Sequence, residues 1–149
     1  MKVAGSKPAA TRPARRAAPP VAAPRSIYGI GVDLVRIERM QKLIDKHGNK
    51  ILLRLLAPRE LREVRARSNQ ARALAMCWAA KEAFVKALGT GFDGIGWKEV
   101  GVIREANGRP VLIVDRKMKA RIKALGVAAT HVSLSDDGGF VCAYVILER

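Results

Sequence analysis

Aromatic residues are scarce in this 149-residue chain, at 5% of the composition, so the hydrophobic core must rest mainly on Leu, Ile, Val and Ala. Cysteine is also rare: Cys77 and Cys142 lie far apart in the sequence, which matches no metal-ligand spacing. Their apolar surroundings favour buried free thiols over a disulfide, and with them a reducing cytoplasm. No apolar run approaches the ~20 residues of a membrane-spanning helix, so we expect no membrane span.

Acidic residues are few beside basic ones, 13 against 28, which gives a formal net charge of +15. A field of this sign attracts nucleic acid, anionic membranes, phosphorylated ligands or acidic proteins, and does not choose among them. Residues 1–26 hold six basic residues and no acid, so 22 basic and 13 acidic residues remain in residues 27–149. The part of the chain that is expected to fold is therefore basic in its own right, with a net charge of +9.

The composition divides the chain at about residue 26. Residues 1–26 are rich in Ala, Pro and Arg and contain five of the seven prolines. Such a segment cannot bury enough surface to offset its ordering entropy, so we predict a disordered basic tail; an organelle transit peptide is the less favoured alternative. Residues 27–149 are long enough for one domain with a real core.

Hydrophobic periodicity in residues 27–149 predicts an α+β fold, with helices packed on a largely antiparallel sheet. One helix is much longer than the others, and its predicted end at Gly89 is a favourable capping position. Asn107-Gly108 and the run 136–139 are hairpin-turn signals. The predicted strands are 27–32, 100–104, 111–114, 130–135 and 140–147, and the predicted helices are 37–47, 58–64, 71–88 and 116–125.

The first strand ends in a carboxylate on a face that glycines leave clear. Because alternate residues of a strand share a face, Gly29, Gly31 and Asp33 point the same way. That face has room for a ligand or for a close backbone contact. The alternative is that the Asp33 side chain caps the N-terminus of the next helix, and this segment taken alone favours the capping role.

The long helix places charged residues in and beside its apolar arc. At ~100° per residue, Lys81 falls in the middle of the arc, Glu82 lies just beyond one edge, and Lys86 follows. A lysine in a buried stripe needs a route to solvent or an anionic partner. A snorkelling lysine with a Glu82–Lys86 surface pair is the structural alternative, and the residues alone leave both interpretations open.

Two further segments could bind a phosphate group of a ligand. His131, Ser133 and Ser135 share one face of a predicted strand, and solvent exposure is the favoured interpretation of that polar face. The turn 89–91 could present backbone N–H groups, although a helix C-terminus is the wrong end of the dipole for an anion.

Four segments together resemble the holo-acyl-carrier-protein synthase family, a group of 4'-phosphopantetheinyl transferases. Each motif is weak alone, but their order and spacing agree from Ile27 to the C-terminus. The segments are Ile30-Gly31-Val32-Asp33, the run from Trp78 to Gly91 (WAAKEAFVKALGTG), Asn107-Gly108-Arg109-Pro110, and His131-Val132-Ser133-Leu134-Ser135.

The resemblance implies an Mg²⁺-dependent enzyme that moves phosphopantetheine from coenzyme A to a serine of apo-acyl carrier protein, releases 3',5'-ADP and supports fatty acid biosynthesis. Asp33 and Glu82 would hold the metal, a role that suits hard oxygen ligands. Glu82 and Lys86 would be the catalytic residues. The residues implied at coenzyme A are Lys81, Gly89, Thr90, Gly91, His131 and Ser133.

The resemblance also implies protein partners. Arg39, with Arg36 and Lys42, would grip the acidic carrier protein, and short members of the family form homotrimers with active sites between subunits. Cys77 departs from the family's pattern, because relatives often have arginine there. A basic nucleic-acid-binding module is the rival interpretation; it is disfavoured because the basic residues are not interleaved with stacking aromatics.

Overall fold

The structure is a computed structural model that describes residues 26–149. Except for Ser26, the predicted tail lies outside the described residues. The α+β class is confirmed, and the added element is a short helix that the sequence pattern did not predict, Asn49–Leu55. In chain order the elements are β1 (Ile27–Arg36), α1 (Ile37–His47), α2 (Asn49–Leu55), α3 (Pro58–Arg65), α4 (Gln70–Leu88), β2 (Val100–Arg104), β3 (Pro110–Val114), α5 (Arg116–Ala124), β4 (Ala129–Asp137) and β5 (Phe140–Glu148).

The strands form two antiparallel sheets rather than one. The larger sheet has the order β1-β5-β4, and β2 pairs with β3 in a separate hairpin. Both predicted hairpin turns are present, and glycines with positive φ serve them: Gly108 at 86°, and Gly138 and Gly139 at 54° and 82°. The first strand thus pairs with the last one, so both ends of the described residues meet in one sheet.

Helix α4 packs directly on the three-stranded sheet, with Leu74 and Phe84 fully buried. Gly29 and Gly31 make this approach possible. A Cβ atom at Gly31 would lie 2.7 Å from the backbone nitrogen of Ala87, and closer still to the carbonyl oxygen of Ala83. The glycine face was expected to have room for a ligand or for a close backbone contact, and it makes the close contact, with the backbone of α4.

The other face of this sheet carries large apolar side chains that remain exposed. Ile30 and Val32 are each 48% exposed, Leu34 is 62% exposed, and Tyr144 of β5 is 44% exposed. Val32 pairs with Tyr144, and Tyr144 pairs in turn with Ser133 of β4, so these residues share one face. An exposed apolar surface of this kind is a candidate for contact with a partner.

Two further expectations concern thiols and membranes. Cys77 and Cys142 are both free; Cys77 is buried and Cys142 is half-buried. None of the helices in residues 26–149 is long and apolar enough to cross a membrane.

Candidate active site

Asp33 meets Lys86 where strand β1 passes helix α4. The Lys86 ammonium donates to Asp33 Oδ1 at 2.8 Å and to the carbonyl oxygen of Val32 at 3.0 Å. The Asp33 side chain is 15% exposed, and that of Lys86 is 51% exposed. The alternative that Asp33 caps α1 is wrong, because strand β1 continues to Arg36 and Arg36 is the residue at the cap position.

Glu82 lies one turn before Lys86 and completes this cluster within a single chain. Burial of its carboxyl, and next the negative charge of Asp33, raise the pKa of Glu82, while Lys86 and Arg39 oppose that rise. The hydrogen bond to Asp33 raises the pKa of Lys86. Asp33 and Glu82, called the acidic pair below, thus place two carboxylates beside one ammonium. In residues 26–149 there is no group of three or more His, Cys, Asp or Glu side chains that could hold a metal.

Lys81 lies outside this cluster, and its environment differs from the one expected at coenzyme A. Its side chain is fully buried and its ammonium bonds Glu60 Oε2 at 2.6 Å. The carbonyl oxygens of Trp97, at 2.8 Å, and of Val100 accept the other two bonds. All three N–H groups of the ammonium are used inside the protein. Contrary to the expectation from the motif, Lys81 therefore does not offer its charge to a coenzyme A phosphate.

The turn after α4 is exposed and follows Glu82 and Lys86 closely along the chain. Gly89 and Gly91 have φ values of 77° and 58°, which glycine adopts without strain. The hydroxyl of Thr90 donates to the carbonyl oxygen of Gly91 at 3.1 Å. Because the turn begins three residues after Lys86, it borders the cluster, and its contact with a ligand stays a prediction.

His131 and Ser133 do not meet the acidic pair within one chain. Asp33 lies opposite Ala143 of β5, which in turn lies opposite Leu134 of β4, and this face of the sheet packs against α4. Ser133 and Val32 lie on the opposite face. Strand β5 also lies between them, which adds about 10 Å at the usual strand spacing. His131 Nε2 lies 3.0 Å from Glu148 Oε2, a partner that the local sequence did not reveal.

The three basic residues expected at the carrier are exposed near or on α1. Arg36 places its guanidinium 4.8 Å from the ring centre of Phe140. Lys42 pairs with Glu38 at 2.6 Å, and both side chains are more than two-thirds exposed, so a partner could displace that contact at little cost. The charge of Arg39 reaches Glu82 and opposes the rise in the pKa of that carboxyl.

A cavity of about 450 Å³ opens between α3, α4 and β2, and sequence patterns did not predict it. Three arginines line it, and we call it the arginine cavity. Arg72 is fixed by two bonds to Asp136, at 2.7 and 2.5 Å, and Arg104 donates to the carbonyl oxygen of Gly108. Burial raises the pKa of the Cys77 thiol, so it is neutral. The lining includes Arg67, Arg72, Met76, Cys77, Arg104 and Leu134.

A second depression, of about 310 Å³, lies between α1, α2 and α4, and we call it the tryptophan groove. Trp78 stacks on Phe92 with ring centres 5.7 Å apart and meets Trp97 edge-on at 5.9 Å. The Arg54 guanidinium lies 5.2 Å from the ring centre of Trp97. Arg39 and Leu43 of α1 form the opposite wall, so the groove is apolar with basic borders.

Comparison with known proteins identifies the superfamily of this chain. Residues 29–145 match the sequence model of the 4'-phosphopantetheinyl transferase superfamily, and the chain belongs to that superfamily. It is 46% identical over 123 residues to a holo-[acyl-carrier-protein] synthase of Trichlorobacter lovleyi, covering 82% of this chain and 98% of that one. The resemblance found in the motifs is therefore confirmed.

Solved structures show the same similarity. The crystal structure of holo-[acyl-carrier-protein] synthase from Neisseria meningitidis matches with a TM-score of 0.79 and 34% identity, covering 83% of this chain and 100% of that one. The synthase from Bacillus anthracis in complex with CoA (3',5'-ADP) matches with a TM-score of 0.68 and 29% identity, covering 83% and 97% of the two chains.

Proposed function

We propose that this protein is a holo-acyl-carrier-protein synthase of the cytoplasm. A serine hydroxyl of the apo carrier attacks the phosphorus that bears the pantetheine arm of coenzyme A. The new serine–phosphate bond replaces the pyrophosphate bond, 3',5'-ADP leaves, and the serine proton passes to a base. The observation that carries the proposal is the acidic pair beside Lys86, in a chain of the phosphopantetheinyl transferase superfamily.

Asp33 and Glu82 would hold Mg²⁺. This ion takes oxygen ligands, uses only one or two carboxylates and completes its shell with water and phosphate oxygens. The raised pKa of Glu82 supports the fit, because burial and the Asp33 charge both oppose a second negative charge there in the absence of a cation. When bound, the ion polarises the pyrophosphate and helps to neutralise the leaving group.

Lys86 and Glu82 have further parts in the reaction. The ammonium of Lys86 is half exposed and faces the acidic pair, so it can also stabilise charge on the transferred phosphate. Without a cation, burial and then the Asp33 charge raise the pKa of Glu82, and a bound cation would lower it. The candidate role of Glu82 in taking the serine proton therefore rests on its position beside Asp33 and Lys86.

The arginine cavity is suited to the nucleotide end of coenzyme A. Arg67 and Arg104 offer positive charge to phosphates, whereas Arg72 is already paired with Asp136. Met76 and Leu134 provide apolar walls for a base. This cavity contacts β4 through Leu134, whereas the acidic pair lies at β1, on the far edge of the sheet. One coenzyme A molecule would then join the β4 edge of one protomer to the β1 edge of the next.

The exposed apolar sheet face supports such an assembly. A cyclic homotrimer would bury Ile30, Val32, Leu34 and Tyr144, and it would bring β4 of one protomer close to β1 of its neighbour. His131 and Ser133 lie on the same face as this apolar surface. They would then contact coenzyme A from the partner subunit, as the family resemblance implies.

The acidic carrier protein would dock on α1 and the tryptophan groove. Arg36 at the end of β1, with Arg39 and Lys42 of α1, provides positive charge, and the charge of Arg39 reaches Glu82. Leu43 and Trp78 give an apolar surface for the carrier's own apolar side chains. Exposed charge of this kind mainly speeds encounter and weakens with salt.

Intact mass spectrometry tests the proposal directly. The protein is incubated with coenzyme A, Mg²⁺ and an apo-acyl carrier protein, with EDTA in a parallel sample. We expect a phosphopantetheine adduct on the carrier only where Mg²⁺ is free. If several acidic carriers gain no mass, the proposed function is wrong; if EDTA has no effect, the metal assignment is wrong.

A further inference from the structure

The buried pair formed by Glu60 and Lys81 has no place in the reaction described above. We infer that it positions the walls of both substrate sites, so that binding of coenzyme A and binding of the carrier both depend on it. This inference rests on the proposed function, because it names residues that shape the two substrate sites. Lys81 and Glu60 are the fully buried charged side chains of residues 26–149, and they bond each other at 2.6 Å.

Glu60 ties three segments together through its two oxygens. Oε2 accepts from the backbone nitrogen of Ala57 at 2.9 Å as well as from Lys81, and Oε1 accepts from the backbone nitrogen of Val102 at 2.9 Å. Lys81 adds bonds to the carbonyl oxygens of Trp97 and Val100. The pair thus joins the start of α3, the middle of α4, the loop before β2, and β2 itself.

Two of these bonds hold segments that the substrates are proposed to touch. Val102 belongs to the wall of the arginine cavity, which Arg104 continues two residues later on the same strand. Trp97 belongs to the tryptophan groove, and its main-chain carbonyl is held by Lys81. One buried pair therefore sets the position of both surfaces, while the acidic pair and Lys86 lie on β1 and α4 and make no bond to it.

Stability alone is a weak explanation for such a pair. Desolvation of two charges offsets much of their attraction, and buried ion pairs are often replaced by apolar residues without loss of stability. A carboxylate and an ammonium nevertheless impose direction, because each must point its bonds at particular backbone groups. Here those groups belong to the two substrate walls.

Steady-state kinetics on Glu60→Gln/Lys81→Met test the inference. The double variant removes both charges and keeps similar side-chain lengths, but the single amide oxygen of Gln can accept from only one of the two backbone N–H groups, of Ala57 and Val102, that Glu60 binds. Because displaced walls weaken binding of the ground state and of the transition state alike, we expect the KM for coenzyme A and the KM for the carrier each to rise about tenfold, with kcat changed less than about threefold.

Gly101→Ala is a milder second variant. A Cβ atom there would lie 2.6 Å from Cδ of Glu60, so it displaces the carboxyl without changing any charge, and Gly101 has no positive φ that would strain alanine. We expect the same pattern of KM changes, smaller in size. If the double variant does not fold, the two KM values of Gly101→Ala test the inference by themselves.

Met118→Ala is the stability-matched control, because Met118 is fully buried in α5, away from both sites. It should lower the melting temperature and leave both KM values unchanged. The inference is overturned if the Glu60 and Lys81 changes leave KM at the wild-type value, if they lower only kcat, or if the control raises KM equally.

Tryptophan fluorescence gives a readout that does not depend on activity. The chain has two tryptophans, and both line the groove. Emission and acrylamide quenching should show greater exposure in the double variant and in Gly101→Ala, but not in the control. If the wild-type protein transfers nothing, the proposed function fails, yet unchanged emission in the variants still refutes the positioning of Trp97 separately.

Discussion

The close approach of β1 to α4 makes Gly31→Ala the most informative single substitution. The new Cβ would lie 2.7 Å from the backbone nitrogen of Ala87 and 2.9 Å from the carbonyl carbon of Ala83. Both are helix backbone atoms, so neither can rotate aside. The strand or the helix must retreat by roughly 0.8 Å to restore a normal contact of about 3.5 Å with Ala87, and by more to clear the carbonyl oxygen of Ala83, which lies closer still.

Overpacking of a core typically costs about 1–3 kcal/mol, and a rigid backbone neighbour favours the upper end. Replacing glycine by alanine also restricts the unfolded chain, which by itself stabilises the protein by roughly 0.4–1 kcal/mol. We therefore expect Gly31→Ala to lower the free energy of unfolding by about 2 kcal/mol. For a domain of this size, that loss lowers the melting temperature by on the order of 5–10 °C. The retreat also separates Asp33 from Lys86, so transfer activity should fall as well.

Urea and thermal unfolding, followed by circular dichroism, measure this effect. Gly96→Ala is the matched control: its nearest neighbour is Glu99 Oε1 at 3.3 Å, the end of a flexible side chain, and its φ is not positive. The control should change stability by less than about 0.5 kcal/mol, as a surface substitution does. Equal stabilities for Gly31→Ala and Gly96→Ala would show that the strand does not rest on the helix backbone as described.

The remaining predictions concern charge. Asp33→Ala and Glu82→Ala should each reduce Mg²⁺-dependent transfer by at least ~100-fold with little change in melting temperature; a variant that keeps the wild-type rate refutes the metal assignment. Arg39→Ala should raise the KM for the carrier at low salt, with a smaller effect at high salt and an unchanged KM for coenzyme A; a salt-independent effect contradicts electrostatic attraction. Asp136→Asn should lower stability at neutral pH by up to about 1 kcal/mol, because the bond from partly exposed Arg72 lowers the pKa of Asp136 in the folded state. That contribution is lost as the pH falls through the folded-state pKa, which lies below the usual value for aspartate, so the stabilities of the two proteins should converge in acid, and a difference that does not change with pH argues against this ion pair.

Most of the elements could be predicted from local pattern. The 3.6-residue period placed α1, α4 and α5 within one or two residues of their ends, and the turn residues at Gly108 and Gly138 placed both hairpins. Helix α2 was missed, and β1 was predicted to end too early, at Val32 rather than Arg36. The short helix and the strand extension are stabilised by packing and pairing with distant segments, which periodicity does not record.

The sequence by itself determined which residue types are present for the proposed chemistry and, through the in-register motifs, the superfamily. It also showed that Lys81 needed an anionic partner or a route to solvent. Only the tertiary structure decided that Glu60, 21 residues away, is that partner, and that Lys81 is thereby removed from phosphate binding. It alone placed Asp33 next to Lys86, and His131 with Ser133 on the opposite face of the sheet. The physical reason is that hydrophobic periodicity describes which side of its own element a residue occupies, whereas ion pairs and sheet faces depend on how separate elements pack together.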